Sequence, residues 1–336
     1  MSGPIKHFTA PEGWYVVAKQ SEIPSKKPIQ RWLDGVPVVL YRSQGEIIAM
    51  IDRCPHRGAR LSDGLVKEGA IECPYHGWRF ASDGKLQHVP CLVGATPGIT
   101  ATRLQTSISR GLVFVAIGEP KEPPYLNRQF EEIRTWFPVR GTVKCDIADA
   151  LENFLDPTHT IFVHRQLVRS VTNSNRTTVE ITADSRTATA RYLGEGQAGG
   201  LVGKLMNEQD RALSVGRFVG PNIAEVEFHG PKSVNFVMTG YMTPTRDGWV
   251  EGFGMVGLPG PKWWARLKFA FLYPWIRLVH AQDQKILQRT EENNQFFKQT
   301  RKVVGPLDVI RTHIDVIREG KRKSCDTKTR LVEMDL

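Results

Sequence analysis

Cys54-Pro55-His56-Arg57-Gly58 and, after a sixteen-residue spacer, Cys73-Pro74-Tyr75-His76-Gly77-Trp78 are the stretches on which the reading of this sequence turns. The pattern is C-x-H followed by C-x2-H. Two thiolates and two imidazoles suit tetrahedral zinc. They also suit a [2Fe–2S] cluster in which two histidines replace two cysteines on one iron. The short spacings let each loop supply one Cys and one His to the same site. Pro55, Gly58, Pro74 and Gly77 fit tight turns whose backbone N–H groups can point at sulfur and tune a bound cluster. A zinc ribbon more often uses C-x2-C knuckles, so the spacing favours the cluster without excluding zinc.

Outward from these loops, the first 120 residues read as all-β. Trp14-Tyr15-Val16-Val17-Ala18, Val36 to Tyr41, Ile47 to Ile51 and Leu112 to Ile117 are short runs rich in β-branched and aromatic residues. Turn signals separate them, among them Asp34-Gly35, Asp63-Gly64 and Asp83-Gly84. Gly118-Glu119-Pro120-Lys121-Glu122-Pro123-Pro124 breaks regular structure and sets the expected boundary between a domain of residues 1–120 and one of residues 121–336. In the second, Thr142 to about Gln166 reads as helical, and Thr177 to Leu193 and Ala224 to Val256 alternate like antiparallel strands. Gly194 to Gly203 reads as a loop, and a long helix is expected through Pro274 to Lys298. The expected fold is α+β: an all-β domain, then a domain whose antiparallel sheet is surrounded by helices.

The chain has 336 residues, 40% hydrophobic and 24% charged, with a mean hydropathy of −0.30. Such a composition excludes disordered, collagen-like and coiled-coil proteins. Five cysteines are too few and too scattered for a disulfide scaffold, and residues Met1 to Gly13 carry no apolar core of a signal peptide. A reducing cytoplasm is the expected setting, with clustered Cys and His pointing to metal. No stretch reaches the ~18–20 apolar residues of a membrane-spanning helix. Trp263 to Val279 comes nearest, interrupted by Arg266, Lys268, Pro274 and Arg277. Net charge is +10, and the densest basic run, Arg318 to Arg330, reads as a solvated tail; no nucleic-acid-binding motif surrounds it.

A second constellation lies in Glu152-Asn153-Phe154-Leu155-Asp156-Pro157-Thr158-His159-Thr160-Ile161-Phe162-Val163-His164, a D-x2-H-x4-H pattern. Two histidines and a carboxylate on one face of iron make the arrangement of non-haem Fe(II) oxygenases, with positions left open for O2 and substrate. Asp156 and His159 are helical neighbours, but residues five apart lie about 140° apart on an ideal helix. His159 and His164 can therefore share one metal only where the helix is distorted or ends, and Pro157 supplies a cause.

The strings CPHRGARLSDG and CPYHGWRF resemble the Rieske domain of Rieske-type non-haem iron oxygenases, and ENFLDPTHTIFVH resembles the catalytic segment of their α subunits. The resemblance implies that Cys54 and Cys73 bind one iron of a [2Fe–2S] Rieske cluster and His56 and His76 the other. It implies that His159 and His164 bind a mononuclear Fe(II) with a distant Asp. Asp283 fits best, 124 residues after His159, with Asp308 and Asp315 as fallbacks. Asp283, Ile286, Leu287 and Thr290 are read as one inward helix face. Asp156 would be the carboxylate that bridges the cluster of one subunit to the iron of the next, and Asn153 falls where the family often has an Asn.

By the same resemblance the chain is a terminal oxygenase, most similar to the vanillate and dicamba O-demethylase branch. It would use O2 and electrons passed from NAD(P)H through a ferredoxin or flavin reductase. The expected reaction is monooxygenation, as hydroxylation or O- or N-demethylation, of an aromatic or other hydrophobic small molecule. Ring cis-dihydroxylation is the alternative within enzymes, and a Rieske electron carrier without oxygenase activity the alternative outside them. A homotrimer is implied. The +10 charge is then read as a surface that attracts an acidic electron donor. Phe236, Met238, Tyr241 and Met255 are the candidate pocket residues.

Overall fold

The computed structural model describes residues 7–165, 167, 175–194, 211–298, 302–321 and 329–336. The expected loop over 195–203 and most of the basic run between Arg318 and Arg330 lie outside them. The chain divides into two compact units. One runs through Tyr125 and takes in Thr243–Asp247; the other holds Leu126–Met242 and Gly248–Leu336. The sequence gives no hint that Thr243–Asp247 would belong with the first unit. Backbone bonds fix it there, from Asp34 N–H to the Pro244 carbonyl and from Gly35 N–H to the Thr245 carbonyl, both 2.7 Å.

The first unit is built of three small sheets. Gly13–Lys19, Leu112–Ile117 and Thr106–Ser109 form one; Ile29–Leu33, Val36–Ser43, Glu46–Ile51 and Arg103–Leu104 the second; Leu65–Lys67, Ala70–Glu72, Arg79–Phe80 and Leu86–His88 the third. Their β-branched and aromatic runs are buried on both faces, which is why Val38–Tyr41 and Val113–Val115 show almost no exposure. The third sheet holds the Cys73 loop between its second and third strands. The core beneath includes Tyr41, Leu61, Ile71 and Phe80 and takes in Cys54 and Cys73 themselves.

The second unit is organised on an eight-stranded sheet. Its spatial order is Trp136–Lys144, Trp249–Gly257, Val234–Pro244, Ile223–His229, Leu213–Val219, Thr187–Leu193, Arg176–Ala183 and Arg330–Asp335. The register is antiparallel wherever it is resolved, as in Gly141↔Gly252 and Val226↔Met238. Three helices, Ile147–Leu155, Lys262–Phe296 and Arg311–Arg318, pack on one face. Thr142–Lys144, expected as the start of a helix, instead end the first strand, paired with Trp249–Glu251. The helix begins only where Asp146 caps it, accepting the Ala148 N–H at 2.7 Å. Its buried side, Ile147, Ala148, Leu151 and Leu155, faces the sheet. The Arg311 guanidinium holds its carboxylates Asp149 and Glu152 at 2.8 and 2.6 Å.

Candidate metal centres and the cavity beside them

The two loops of the first unit close in the same way. Gly58 N–H donates to the Cys54 carbonyl at 2.9 Å and Cys54 N–H to the Ala59 carbonyl at 2.8 Å. Gly77 N–H donates to Cys73 at 3.1 Å and Cys73 N–H to Trp78 at 2.8 Å. Each turn needs a residue at positive φ, and Gly58 (φ 78°) and Gly77 (φ 67°) supply it without strain. The cysteines are buried while His76 stands exposed and His56 half-exposed at the tips. The imidazoles lie 4.6 Å apart between centroids, and His56 stacks flat on Trp78 at 4.3 Å. Burial pushes the Cys54 thiol up to about 11, and its neighbour Cys73 adds to the rise. Backbone N–H groups of His56 and Arg57 at the sulfur work in the opposite direction. A buried thiol pair with amides aimed at sulfur, and a buried His56 Nδ1 without a hydrogen-bond partner, fit an iron–sulfur cluster.

The second centre is made by a broken helix. The Ile147–Leu155 helix ends at Asp156, whose extended backbone (φ −82°, ψ 118°) is what a following proline demands. The chain turns at Pro157, and a short helix, Thr160–Val163, starts after His159. This break answers the mismatch of the x4 spacing: the two rings meet edge to face at 5.2 Å. Asp283, from the middle of the long helix, completes the group. Its Oδ1 lies 3.1 Å from His164 Nε2 and 3.5 Å from His159 Nε2, and the three ligand atoms fall within 4.8 Å of one another. The fallbacks are engaged elsewhere: Asp308 accepts the Gly305 N–H and Asp315 pairs with Arg311.

Outer partners aim each ring. Asp156 Oδ1 accepts the N–H and hydroxyl of Thr158, both at 2.7 Å, and Oδ2 faces His159 Nδ1 at 3.3 Å. His164 Nδ1–H donates to Gln282 Oε1 at 2.8 Å. Both Nε2 atoms are thereby left for the centre. Burial raises Asp283, but the two histidines outweigh it and leave its carboxyl at about 2. Burial lowers His159, but Asp156 and Asp283 outweigh it and lift the ring to about 9. His164 Nε2 and Asp283 Oδ1 are buried and face only one another and His159 Nε2, a convergence of acceptor atoms that suits a metal ion. Two imidazoles and one carboxylate suit a non-haem Fe(II).

The centre opens on a cavity of about 380 Å³ within the second unit, lined mainly by apolar side chains. Asn153 lines it, one helical turn before Asp156. Of the four pocket residues expected from sequence, Phe236 and Met238 line it and Tyr241 and Met255 do not. The reason is parity: Gly240 and Met242, Gly252 and Gly254 face the cavity, so their odd-numbered neighbours face the other side. The expected inward helix face also ends early. Leu287 lines the cavity, but Ile286 is 45% exposed and Thr290 lies outside as well. Sequence reading missed Gln282, His280 and Arg277. His280 packs against Gly141 and bonds the Thr142 backbone, and burial lowers its pKa. A helical offset of three from a candidate ligand, with glycine opposite, is the signal that could have found it.

A carboxylate and two histidines thus stand together beside an apolar cavity, on a chain that also carries two Cys/His loops. The Rieske [2Fe–2S] domain family matches residues 13–103. The chain is 33% identical over 159 residues to the dicamba O-demethylase oxygenase component of Stenotrophomonas maltophilia, covering 45% of this chain and 47% of that protein. It is 31% identical over 156 residues to the vanillate O-demethylase oxygenase subunit of Pseudomonas sp. (strain HR199 / DSM 7063), covering 45% and 44%. The matched stretch thus spans about half of these curated relatives. Dicamba monooxygenase bound to 3,6-dichlorosalicylic acid shares the fold, with a TM-score of 0.77, 21% identity and coverage of 92% of this chain and 96% of that one. Pseudomonas putida CBB5 NdmA with caffeine gives 0.74 and 21%, over 94% and 90%. Residues 13–103 therefore belong to the Rieske [2Fe–2S] domain family, and the chain is similar over about half its length to oxygenase components that carry such a domain.

One prediction arises from the outer partners. Gln282→Leu keeps the shape but leaves His164 Nδ1 unanchored, and iron affinity should fall about 10–100-fold. Dialysis against a graded chelator, followed by iron assay, measures it; unchanged iron retention would show that Gln282 is a bystander.

Proposed function

We propose that this chain is a terminal oxygenase that monooxygenates an aromatic or other hydrophobic small molecule, by hydroxylation or by O- or N-demethylation. The observation that carries the reading is the convergence of His159, His164 and Asp283 at the wall of an apolar cavity. Its volume falls in the range of about 300–1,000 Å³ typical of small-molecule sites. Relatives named as oxygenase components of O-demethylases support it. Cys54, His56, Cys73 and His76 would hold the cluster, and His159, His164 and Asp283 the Fe(II). When bound, the cluster supplies single electrons and the Fe(II) a place to activate O2. The chain's own residues do the rest. Asp156 and Gln282 keep the two imidazoles turned inward with protonated Nδ1 atoms. Phe236, Met238 and Leu287 keep water from the reacting substrate, and Asn153 offers one polar contact within their reach. Electrons would come from NAD(P)H through a ferredoxin or flavin reductase, in a cytoplasmic homotrimer.

Iron content tests the reading first: one iron beyond the two of the cluster is expected, and a cluster alone would mark an electron carrier. Turnover with a panel of methoxy-aromatics, a generic ferredoxin and its reductase should then release formaldehyde; a cis-diol would move the assignment to ring dihydroxylation. Asp156→Asn is expected to retain both metals but slow reoxidation of the reduced cluster, because the charge that faces His159 is gone. Stopped-flow absorbance follows this, and wild-type reoxidation would remove Asp156 from the electron path.

A further inference from the structure

The Lys262–Phe296 helix is amphipathic twice over. Ala265 and Leu272 are buried and Ile276 half-buried against the sheet. On the opposite side an exposed helix normally presents polar residues. Here it presents Trp263 (69% exposed), Leu267 (44%), Phe271 (57%) and Leu278 (46%), all within about 80° of arc on a helical projection, with Trp264 and Trp275 at the edge. A continuous exposed apolar stripe of this kind marks an interaction surface. Its electrostatics are one-signed. Lys262, Arg266 and Arg277 are exposed along one flank, and no Asp or Glu occurs between Glu251 and Asp283.

We infer that this stripe docks the protein on an anionic lipid surface, with the helix lying in the plane of the bilayer. Large aromatic and aliphatic side chains flanked by Lys and Arg are what an interfacial helix buries at the headgroup boundary. No helix among the described residues is long and apolar enough to cross a membrane. An acidic protein partner would satisfy the charges but leave three tryptophans and a phenylalanine without a reason to be exposed. The inner side of the same helix walls the cavity through Leu272 and Ile276, while Tyr273 and Trp275 both line the cavity and are exposed. Docking therefore sets the rim of the cavity at the acyl boundary, where a membrane-dissolved apolar ligand can enter. The inference does not depend on the reaction assigned above.

The test is co-sedimentation of the metal-loaded full chain with vesicles of phosphatidylcholine mixed with phosphatidylglycerol, against phosphatidylcholine alone. Binding to the mixed vesicles, weakened by salt, is expected. Leu267→Glu should lower the partition coefficient at least about tenfold, and Arg266→Gln or Arg277→Gln about fivefold each. All three positions are exposed, and an unchanged thermal melt and visible spectrum would show that the variants fold. Wild-type protein left in the supernatant with anionic vesicles would overturn the inference. So would a change of sedimentation coefficient in Leu267→Glu, which would mean that a second copy of the chain covers the stripe.

Discussion

Asp283→Ala is expected to give a protein that keeps the visible absorbance of its cluster, loses one iron per chain and has no detectable turnover. Asp283 supplies the only carboxylate within reach of both His159 and His164 among the described residues. Two neutral imidazoles alone bind Fe(II) without charge neutralisation, so the loss should exceed the ~10–100-fold that an outer partner costs. The carboxyl, held near 2, is ionised at any working pH, so Asp283→Asn should fail almost as fully although the shape is kept. Iron assay and turnover decide it. A variant that still held its third iron would remove Asp283 from the ligand set.

Arg217→Leu should destabilise the second unit by roughly 3–5 kcal/mol, the usual cost of leaving buried charge unpaired. Glu225 and Glu227 are fully buried on the face of the sheet away from the cavity. Arg217 Nη1 reaches both, at 2.8 and 3.2 Å; Asn127 and Thr239 also bond Glu225, and His229 bonds Glu227 at 2.8 Å. Burial raises the Glu227 carboxyl, but His229 and Arg217 outweigh it and hold it at about 2 instead of 4.5. A depressed carboxylate stabilises the fold above its unfolded value, so this contribution is full above about 4.5 and lost as pH falls toward 2. In Arg217→Leu the acid loss should begin at higher pH. Urea denaturation followed by tryptophan fluorescence, at neutral pH and through the acid range, measures both. A loss under about 1 kcal/mol at neutral pH would show that the remaining partners suffice.

These two predictions differ in how far the sequence announced them. The two Cys/His loops were legible because Cys54-x-His56 and Cys73-x2-His76 lie within a few residues, and Gly58 and Gly77 mark the turns. Asp156, His159 and His164 were legible for the same reason, with Pro157 supplying the break that lets both rings converge. Asp283 lay 124 residues away and could be picked only by resemblance. Gln282 has no local signal, since its meaning is His164 on another element. The Glu225–Arg217–Glu227 network was misleading in sequence: Ala224-Glu225-Val226-Glu227-Phe228 reads as a strand with a wet face. That face is dry because Asn127 and its neighbours cover it. Strand parity was the other failure, since period two separates faces but does not say which one meets the helices.

The cavity owes its width to absent side chains. Gly141, Gly216, Gly240, Gly252 and Gly254 form its floor on a hydrogen-bonded sheet. A methyl group at Gly141 would stand 2.4 Å from the His280 ring, and one at Gly254 2.5 Å from Val139, so those positions are closed to change. At Gly216 and Gly252 the nearest atoms are 3.6 and 3.4 Å away, an ordinary contact distance. The cavity can therefore be narrowed in single-methyl steps at two addresses without moving His159, His164 or Asp283.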